Sequence, residues 1–291
     1  MIALQTVLCP VDFSPATSRQ VDLAADLARA FGANLVLHHN VESLGIGTSI
    51  GWMRNADCQG NPQATAEAGL RECLTRVPDD VSVEPLITQG PNSSTVLMVA
   101  DAIEADLVLL TAHGTLSEDH ASITERMLEQ GNRSVLVLHD HSEETRTPQF
   151  ASKSREPQVV IAPTDLSPAS RSAIEVGFDL VRRLPIELHL LHVLPKTRKS
   201  LSVDAASAEK ARSQLRALLP EDVATRAQVQ VDYGHPAEGI ARMARQLSAA
   251  CIVMGEHTRN PLRRLFRRDT PREVLHHARC PVWYVPTARE S

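Results

Sequence analysis

Short apolar runs alternate along the chain with longer segments in which apolar residues recur at helical spacing. The runs of the first half are residues 6–11, 33–41, 81–88, 105–112 and 134–140. Those of the second half are residues 158–164, 186–194, 229–234, 250–256 and 281–286. Runs that are apolar at successive positions are typical of parallel strands buried on both faces. The pattern therefore predicts parallel strands covered by helices.

The segment between the first two runs of each half predicts an amphipathic helix. Its apolar stripe in the first half is Val21, Leu23, Ala24, Ala25, Leu27, Ala28 and Phe31, followed by Gly32, which is suited to ending a helix. The stripe of the second half is Ala173, Val176, Gly177, Leu180 and Val181. An Asp-x-Ser-Pro turn precedes both helices, and we expect its serine, Ser14 or Ser167, to be the N-cap, with Pro15 or Pro168 as the first helical residue.

The acidic turn is one part of a repeat that runs along the whole chain. Residues 10–19 read PVDFSPATSR, and residues 163–172 read PTDLSPASRS. A separation of 153 positions relates Asp12 to Asp165, Leu35 to Leu188, and His39 to His192. A separation of 144 positions relates Gly90 to Gly234, and His113 to His257. Collinear matches of this kind indicate two copies of one domain.

Five strands alternating with helices predict an α/β fold, with a doubly wound, five-stranded parallel sheet flanked by helices in each copy. We expect one domain at residues 1–140, a polar linker at 141–156 and a second domain at 157–291. Trp283 and Tyr284 lie together in the last predicted strand. Large side chains on an edge strand favour a contact between domains or subunits.

Composition narrows the functional classes. The 291 residues contain 35 acidic and 30 basic side chains, a net charge of −5, so no overall field favours nucleic acid or an anionic membrane. No apolar stretch approaches the roughly 18 residues of a membrane span, and the first residues lack the features of a secretory signal. We therefore expect a cytoplasmic protein without a membrane partner. Its five cysteines form no close pair and are expected to be reduced.

Taken in order, the Asp-Phe-Ser-Pro turn, the histidine-containing second strands, the GHPAEGIARMA helix start and the VMGEHT exit from the fourth strand resemble the universal stress protein family in a tandem form. One branch of that family binds ATP. The resemblance implies adenosine contacts at the acid after the first strand and at the residue after the second-strand histidine. These positions are Asp12 and Asn40 in the first copy, and Asp165 and Val193 in the second.

The family's ATP-binding members hold the phosphates with Gly-x-x-Gly, nine further residues, and Gly-Ser or Gly-Thr. Glycines allow backbone N–H groups to approach an anion, and the last pair opens a helix. In the second copy Gly255 matches the first glycine, but Thr258, Arg268 and Asp269 take the other three positions. Bulky side chains there are expected to block the phosphates.

The loop of the first copy is three residues shorter and keeps part of the pattern. Thr111 replaces the first glycine, Gly114 matches the second, and Ala121 and Ser122 end the loop. Ser122 can still cap a helix and present N–H groups. The resemblance therefore leaves ATP as the one cofactor to test, with Gly114, Ser122 and Gly255 as its phosphate contacts.

Two functions remain open at this point. The first is a stress-response binding or regulatory module with degenerate nucleotide loops and without robust catalysis. The alternative is an ATP-binding stress protein that hydrolyses ATP slowly at one domain. An adenine nucleotide and a second copy of the chain are the partners considered, and protein partners are not identified by the sequence.

Other motifs have less specific interpretations. Six arginines within residues 259–272 could hold phosphate or nucleic acid, but a solvated basic face is the favoured reading, because almost no aromatic residues are interleaved. The GTSIG stretch at residues 47–51 matches a hydrolase pattern in the wrong structural context. The twelve histidines lack the usual metal-ligand spacings, so no metal site is predicted.

Overall fold

The computed structural model describes residues 4–41, 61–90, 92–112, 123–130, 133–139, 150, 157–167, 170–195, 205–255 and 270–286. The elements of the first half are β1 (Thr6–Pro10), α1 (Thr17–Phe31), β2 (Asn34–Val41), α2 (Pro62–Leu74), β3 (Val83–Gln89), α3 (Asn92–Ala102), β4 (Leu107–Ala112), α4 (Ile123–Gln130) and β5 (Ser134–His139). Those of the second half are β6 (Gln158–Pro163), α5 (Arg171–Arg183), β7 (Ile186–Leu194), α6 (Ala205–Leu218), α7 (Glu221–Ala224), β8 (Ala227–Tyr233), α8 (Pro236–Gln246), β9 (Cys251–Gly255), α9 (Thr270–His277) and β10 (Val282–Val285).

The ten strands form one continuous sheet in the order β3-β2-β1-β4-β5-β10-β9-β6-β7-β8. Within each half the five strands are parallel, with β1 or β6 at the centre. Among the described strands, only the junction between the halves, β5 with β10, is antiparallel. The predicted fold, two repeated doubly wound domains with five-stranded parallel sheets, is confirmed.

Apolar side chains cover both faces of the sheet, as the continuous runs predict. On β1, Val7 and Cys9 belong to the core layer that contains α1 and α5, whereas Leu8 points to the opposite layer with α3 and α8. Every residue of the two predicted helical stripes except Phe31 and Gly177 lies in the buried core, and Gly177 is itself buried. Gly32 ends α1 in the left-handed conformation at φ 68°, as expected.

The predicted helix starts are wrong by two residues in α1 and by three in α5. The N-cap of α1 is Ala16 and that of α5 is Ser170, and neither side chain caps its helix. The reason is that the preceding acid closes its own turn, since Ser14 N–H donates to Asp12 Oδ1 at 2.9 Å. The hydroxyl of Ser14 is buried without a hydrogen-bond partner among the described residues, as is that of Ser167.

The expectation that Trp283 and Tyr284 form a contact between domains is confirmed, because β10 pairs with β5 and places Trp283 opposite Leu136. A second link joins the halves here: His139 Nε2 donates to the carbonyl of Leu275 at 2.6 Å. On the α1 and α5 side, the guanidinium of Arg183 lies 4.8 Å from the ring centroid of Phe31.

Residue 150 is the one described residue within the predicted linker 141–156. It is a phenylalanine that is only 4% exposed and belongs to the core layer shared by α1 and α5. The rest of the predicted linker lies outside the described residues.

None of the described helices is long and apolar enough to cross a membrane. Within the same residues no group of three or more histidine, cysteine or acidic side chains is placed to hold a metal ion. Four cysteines are free and buried, and Cys58 lies outside the described part of the chain. Burial raises the pKa of the Cys280 thiol to about 12.

Candidate functional site

The carboxyl ends of β1 and β2 place the first candidate residues side by side. Beyond Pro10 the chain stays with β2, because Val11 N–H donates to the carbonyl of His38 at 2.7 Å. Asp12 therefore follows β1 at the carboxyl end of the sheet, where Asn40 is the last but one residue of β2. In doubly wound folds ligands bind at this edge.

Asp12 is half-buried and holds the turn that leads into α1. Its Oδ1 atom accepts hydrogen bonds from Ser14 N–H at 2.9 Å and from the Thr17 hydroxyl at 3.1 Å. Between them Phe13 adopts a left-handed backbone conformation at φ 59°, which is uncommon for a residue with a bulky side chain. At least one oxygen of the carboxylate is thus used by the protein itself.

The ring of Phe13 is fixed by two neighbours. It stacks on His39, with ring centroids 4.2 Å apart and planes 25° from parallel. His39 Nδ1 in turn donates to the carbonyl of Val11 at 2.8 Å. At its far end the ring leaves no space beside Gly69 of α2, where an added Cβ would lie 2.6 Å from the Cζ atom.

Asn40 is oriented by a chain of hydrogen bonds that begins in the core. Its side-chain amide donates to the carbonyl of Gly90 at 2.9 Å, and its oxygen accepts from the Thr88 hydroxyl at 3.1 Å. The Thr88 hydroxyl lies 2.7 Å from His38 Nε2. Because that hydroxyl donates to Asn40, His38 Nε2–H must be the donor in the remaining contact.

His38 is held in the neutral form. Its burial, with a smaller contribution from neighbouring His39, lowers its pKa from 6.5 to about 4. Its Nδ1 atom is buried and has no hydrogen-bond partner within the described residues, which suits the unprotonated nitrogen of a neutral ring. The chain from His38 through Thr88 therefore fixes one orientation of the Asn40 amide.

Gln20 is a site residue that sequence reasoning missed. Its amide donates to the carbonyl oxygens of Pro10 at 2.8 Å and Leu109 at 2.9 Å, and its oxygen accepts from the Thr111 hydroxyl at 3.1 Å. It joins α1 to β1 and β4. The signal in the sequence is a glutamine beside the apolar stripe at Val21, where a buried amide needs partners.

The second half repeats the acidic turn with different supporting contacts. Asp165 is exposed, and its Oδ1 atom accepts from Ser167 N–H at 3.0 Å. Thr164 replaces Val11, and its hydroxyl accepts from Leu166 N–H at 2.9 Å. His192 Nδ1 donates to the carbonyl of Thr164 at 2.7 Å, as His39 does in the first half.

The hydrogen-bond chain of the first half has no counterpart in the second. Leu191, Val193 and Asp232 stand where the first half has His38, Asn40 and Thr88. Asp232 instead forms an ion pair with Arg242 of α8 at 2.5 Å. Val193 packs closely on Gly239: a Cβ added to Gly239 would lie 3.1 Å from the methyl groups of Val193. At the carboxyl ends of equivalent strands, the first half thus has a neutral hydrogen-bonded amide, and the second half has an apolar side chain beside an ion pair.

The structure brings together Asp12 with Asn40, and Asp165 with Val193, at the ends of adjacent strands. Gly255 is the last residue of β9 and is buried. The remaining predicted phosphate contacts, Gly114 and Ser122, lie outside the described residues, and so do Thr258, Arg268 and Asp269. The GTSIG stretch at residues 47–51 also lies outside the described residues, and so do residues 259–269 of the arginine-rich stretch.

Comparison with known proteins identifies one family whose model matches both halves of the chain. The family model described as "Universal stress protein family" matches residues 3–139 and again residues 157–286. A universal stress protein from Archaeoglobus fulgidus DSM 4304 has a similar structure, with a TM-score of 0.72 and 16% identity over 99% of both chains. A protein of unknown function from Pseudomonas aeruginosa PAO1 has a TM-score of 0.66 and 15% identity over 98% of this chain and 93% of that one.

A universal stress protein solved in complex with cAMP matches a shorter part, with 24% identity and a TM-score of 0.37 over 47% of this chain and 98% of that chain. No curated protein matches the sequence.

Proposed function

Because the chain belongs to the universal stress protein family and carries that domain twice, we propose that it works as a stress-response binding module and not as an efficient enzyme. One observation carries the proposal. In both halves the acid after the first strand accepts a hydrogen bond within its own turn: Asp12 Oδ1 accepts from Ser14 N–H, and Asp165 Oδ1 accepts from Ser167 N–H. The repeated acidic turn is therefore accounted for by the fold, and no catalytic group is required to explain it.

The phosphate loops support the same proposal. In the second half Thr258, Arg268 and Asp269 occupy three of the four positions at which the family's ATP-binding members have small residues. Side chains at these positions keep backbone N–H groups from closing on a phosphate. We infer that the second half does not hold ATP in the manner of those members.

A second candidate function is ATP binding with slow hydrolysis in the first half. The observation that favours it is the fixed orientation of Asn40, which is held by Thr88 and Gly90 beside Asp12. In that case Asp12 and Asn40 would contact the adenosine, and Gly114 and Ser122 would contact the phosphates. A fixed polar group at a ligand-binding edge reduces the ordering that a ligand must impose.

Mass spectrometry and thermal unfolding distinguish the two candidates. We expect the purified protein to release no ATP or ADP on denaturation, and millimolar Mg-ATP to leave its melting temperature unchanged. Any ligand that binds only the native state raises its stability by RT ln(1 + [L]/Kd). An unchanged melting temperature at millimolar Mg-ATP would therefore exclude the second candidate, whereas a reproducible rise would show that ATP binds and that at least one nucleotide loop still functions.

Two variants show which half is responsible if a rise occurs. Asp12→Ala should abolish a rise that comes from the first half, and Asp165→Ala should leave it unchanged. Because both changes remove an equivalent turn contact, each serves as the stability control for the other.

A further inference from the structure

The outer edge of β8 carries a row of backbone groups that point away from the sheet. Leu188 N–H donates to the carbonyl of Arg226, and Gly234 N–H donates to the carbonyl of Leu194. Because successive residues of a parallel strand face opposite neighbours, Gln228 and Gln230 also bond to β7. The N–H and C=O groups of Ala227, Val229 and Val231 therefore face outward, and β7 is the only described strand that pairs with β8.

At the opposite edge of the sheet, on β3, a proline blocks further strand pairing. On β3, Ser82 and Gly90 bond to β2, so Val83, Pro85 and Ile87 face outward by the same alternation. Pro85 lacks an N–H group and interrupts the row at its centre, which is a common way of blocking an exposed edge. The separation of 144 positions that relates Gly90 to Gly234 places Val229 at the position of Pro85. The two edges of the molecule thus differ at one decisive residue.

We propose that two copies of this chain associate through antiparallel pairing of their β8 strands, with Val229 of each copy on the two-fold axis. Pairing about this axis sets Val229 opposite Val229, and Ala227 opposite Val231. Each of these is a pair of outward-facing residues that exchanges two hydrogen bonds. The result is one sheet that continues through both copies, as the sheet already continues from one half to the other through β5 and β10.

The side chains of β8 are complementary in this register. Gln228 falls opposite Gln230 of the second copy, so two neutral amides meet. Arg226, which donates to the carbonyl of Leu184, falls opposite Asp232, whose carboxylate pairs with Arg242 of its own chain. Opposite charges therefore face each other on each side of the axis, as an extension of an existing ion pair. On the other face Val229 meets Val229 and Val231 meets Ala227, and these residues, which are only partly buried against the core, extend the apolar layer. No like charges oppose each other, and this favours a second copy as the occupant of the edge.

Substitution at Val229 tests the association. We expect the native protein to have twice its chain mass of 31.8 kDa in light scattering, with dissociation on dilution. Val229→Pro should yield a monomer, because it removes the central donor. It should still fold, since this N–H takes no part in pairing with β7 and Pro85 occupies the matching position of β3. Val229→Thr retains the N–H and is the matched control, which should remain a dimer.

A monomeric native protein at all concentrations would overturn the proposal, and so would a folded Val229→Pro variant that remains a dimer. Cross-linking gives a second test that does not depend on the proline. Facing residues of a hydrogen-bonded antiparallel pair have Cα atoms about 5.5 Å apart, a separation that a disulfide can bridge.

Val229→Cys should therefore cross-link to its copy under mild oxidation. Val231→Cys should not, because it lies four residues from its own counterpart, at roughly 3.4 Å per residue along the strand. The native protein, oxidised in the same way, is the control for cross-linking through the cysteines already present. Equal cross-linking of the two variants, or none with Val229→Cys, would contradict this register.

Discussion

His38 is a buried histidine that the fold keeps neutral, at 1% exposure and with a pKa lowered to about 4 by burial. Its role is local: the ring donates to Thr88, which orients Asn40. The second half has Leu191 at the equivalent position and does without the hydrogen-bond chain. Burial also lowers the pKa of His189 on β7, so the contribution of His38 to the pH dependence of stability is isolated by replacing His38 itself.

The sign of this dependence follows from the two protonation states. Unfolded His38 takes up a proton as the pH falls below 6.5, whereas the folded protein does not until about pH 4. Stability is thus lost between these values as the pH decreases. We expect native protein to lose about 2 kcal/mol more unfolding free energy between pH 7 and pH 5 than His38→Leu does, measured by urea denaturation.

The exposed His276 provides the control for this measurement. His276→Gln should follow the native curve, because its side chain is not buried. If His38→Leu has the same pH dependence as the native protein, then burial of His38 does not control its protonation.

At the scale of elements, α2 is positioned by the contact between Gly69 and Phe13. Alanine in place of a helical glycine ordinarily stabilises by about 1 kcal/mol. Here the added methyl group would lie 2.6 to 2.8 Å from three atoms of the Phe13 ring. That ring is held by its stacking on His39 and by the left-handed turn at Phe13. We therefore expect Gly69→Ala to destabilise the protein by about 1 to 2 kcal/mol in urea denaturation.

A double-mutant cycle separates the steric effect from helix propensity. In a Phe13→Ala background the clash is absent, so Gly69→Ala should become stabilising by a few tenths to about 1 kcal/mol. The prediction fails if the sign of the Gly69→Ala effect is the same in both backgrounds.

The strands and the helical stripes could be predicted from the sequence because burial on one or both faces leaves a periodic apolar pattern. The helix starts could not. Ser14 is a residue type that often caps helices. In the structure, however, Ser14 N–H donates to Asp12 in a separate turn, and α1 begins only at Thr17. Which of two neighbouring polar residues closes a turn depends on backbone geometry that composition alone does not contain.

The candidate site could be proposed from the sequence only where a strand end and a family position coincide, as at Asp12 and Asn40. The partners of these residues come from distant positions. Thr88 lies on β3, 48 residues from Asn40, and Gln20 bonds to Thr111 across 91 positions. Such contacts depend on the order of strands in the sheet, which periodicity does not determine.

At the scale of the whole molecule, the two halves share their core. One buried cluster contains Leu136 and Phe150 as well as Trp283 and Phe178, and the sheet runs through it without a break. His139 and Arg183 add hydrogen bonds across the junction, to the carbonyls of Leu275 and Ala30. A shared core of this kind favours unfolding of both halves in one transition, because neither half can lose its structure without exposing apolar surface of the other.

Trp283 is the residue at which this coupling can be measured, since it is 1% exposed and lies on the strand that pairs with β5. Trp283→Ala should remove roughly 3 to 5 kcal/mol of unfolding free energy, the usual cost of emptying a large buried site. Because the core is shared, we expect hydrogen exchange to accelerate to the same extent in β2 of the first half and β7 of the second. Met98→Ala, at a side chain that is 69% exposed, should leave both unchanged. Faster exchange confined to the second half would show that the junction does not couple the two domains, in spite of the continuous sheet.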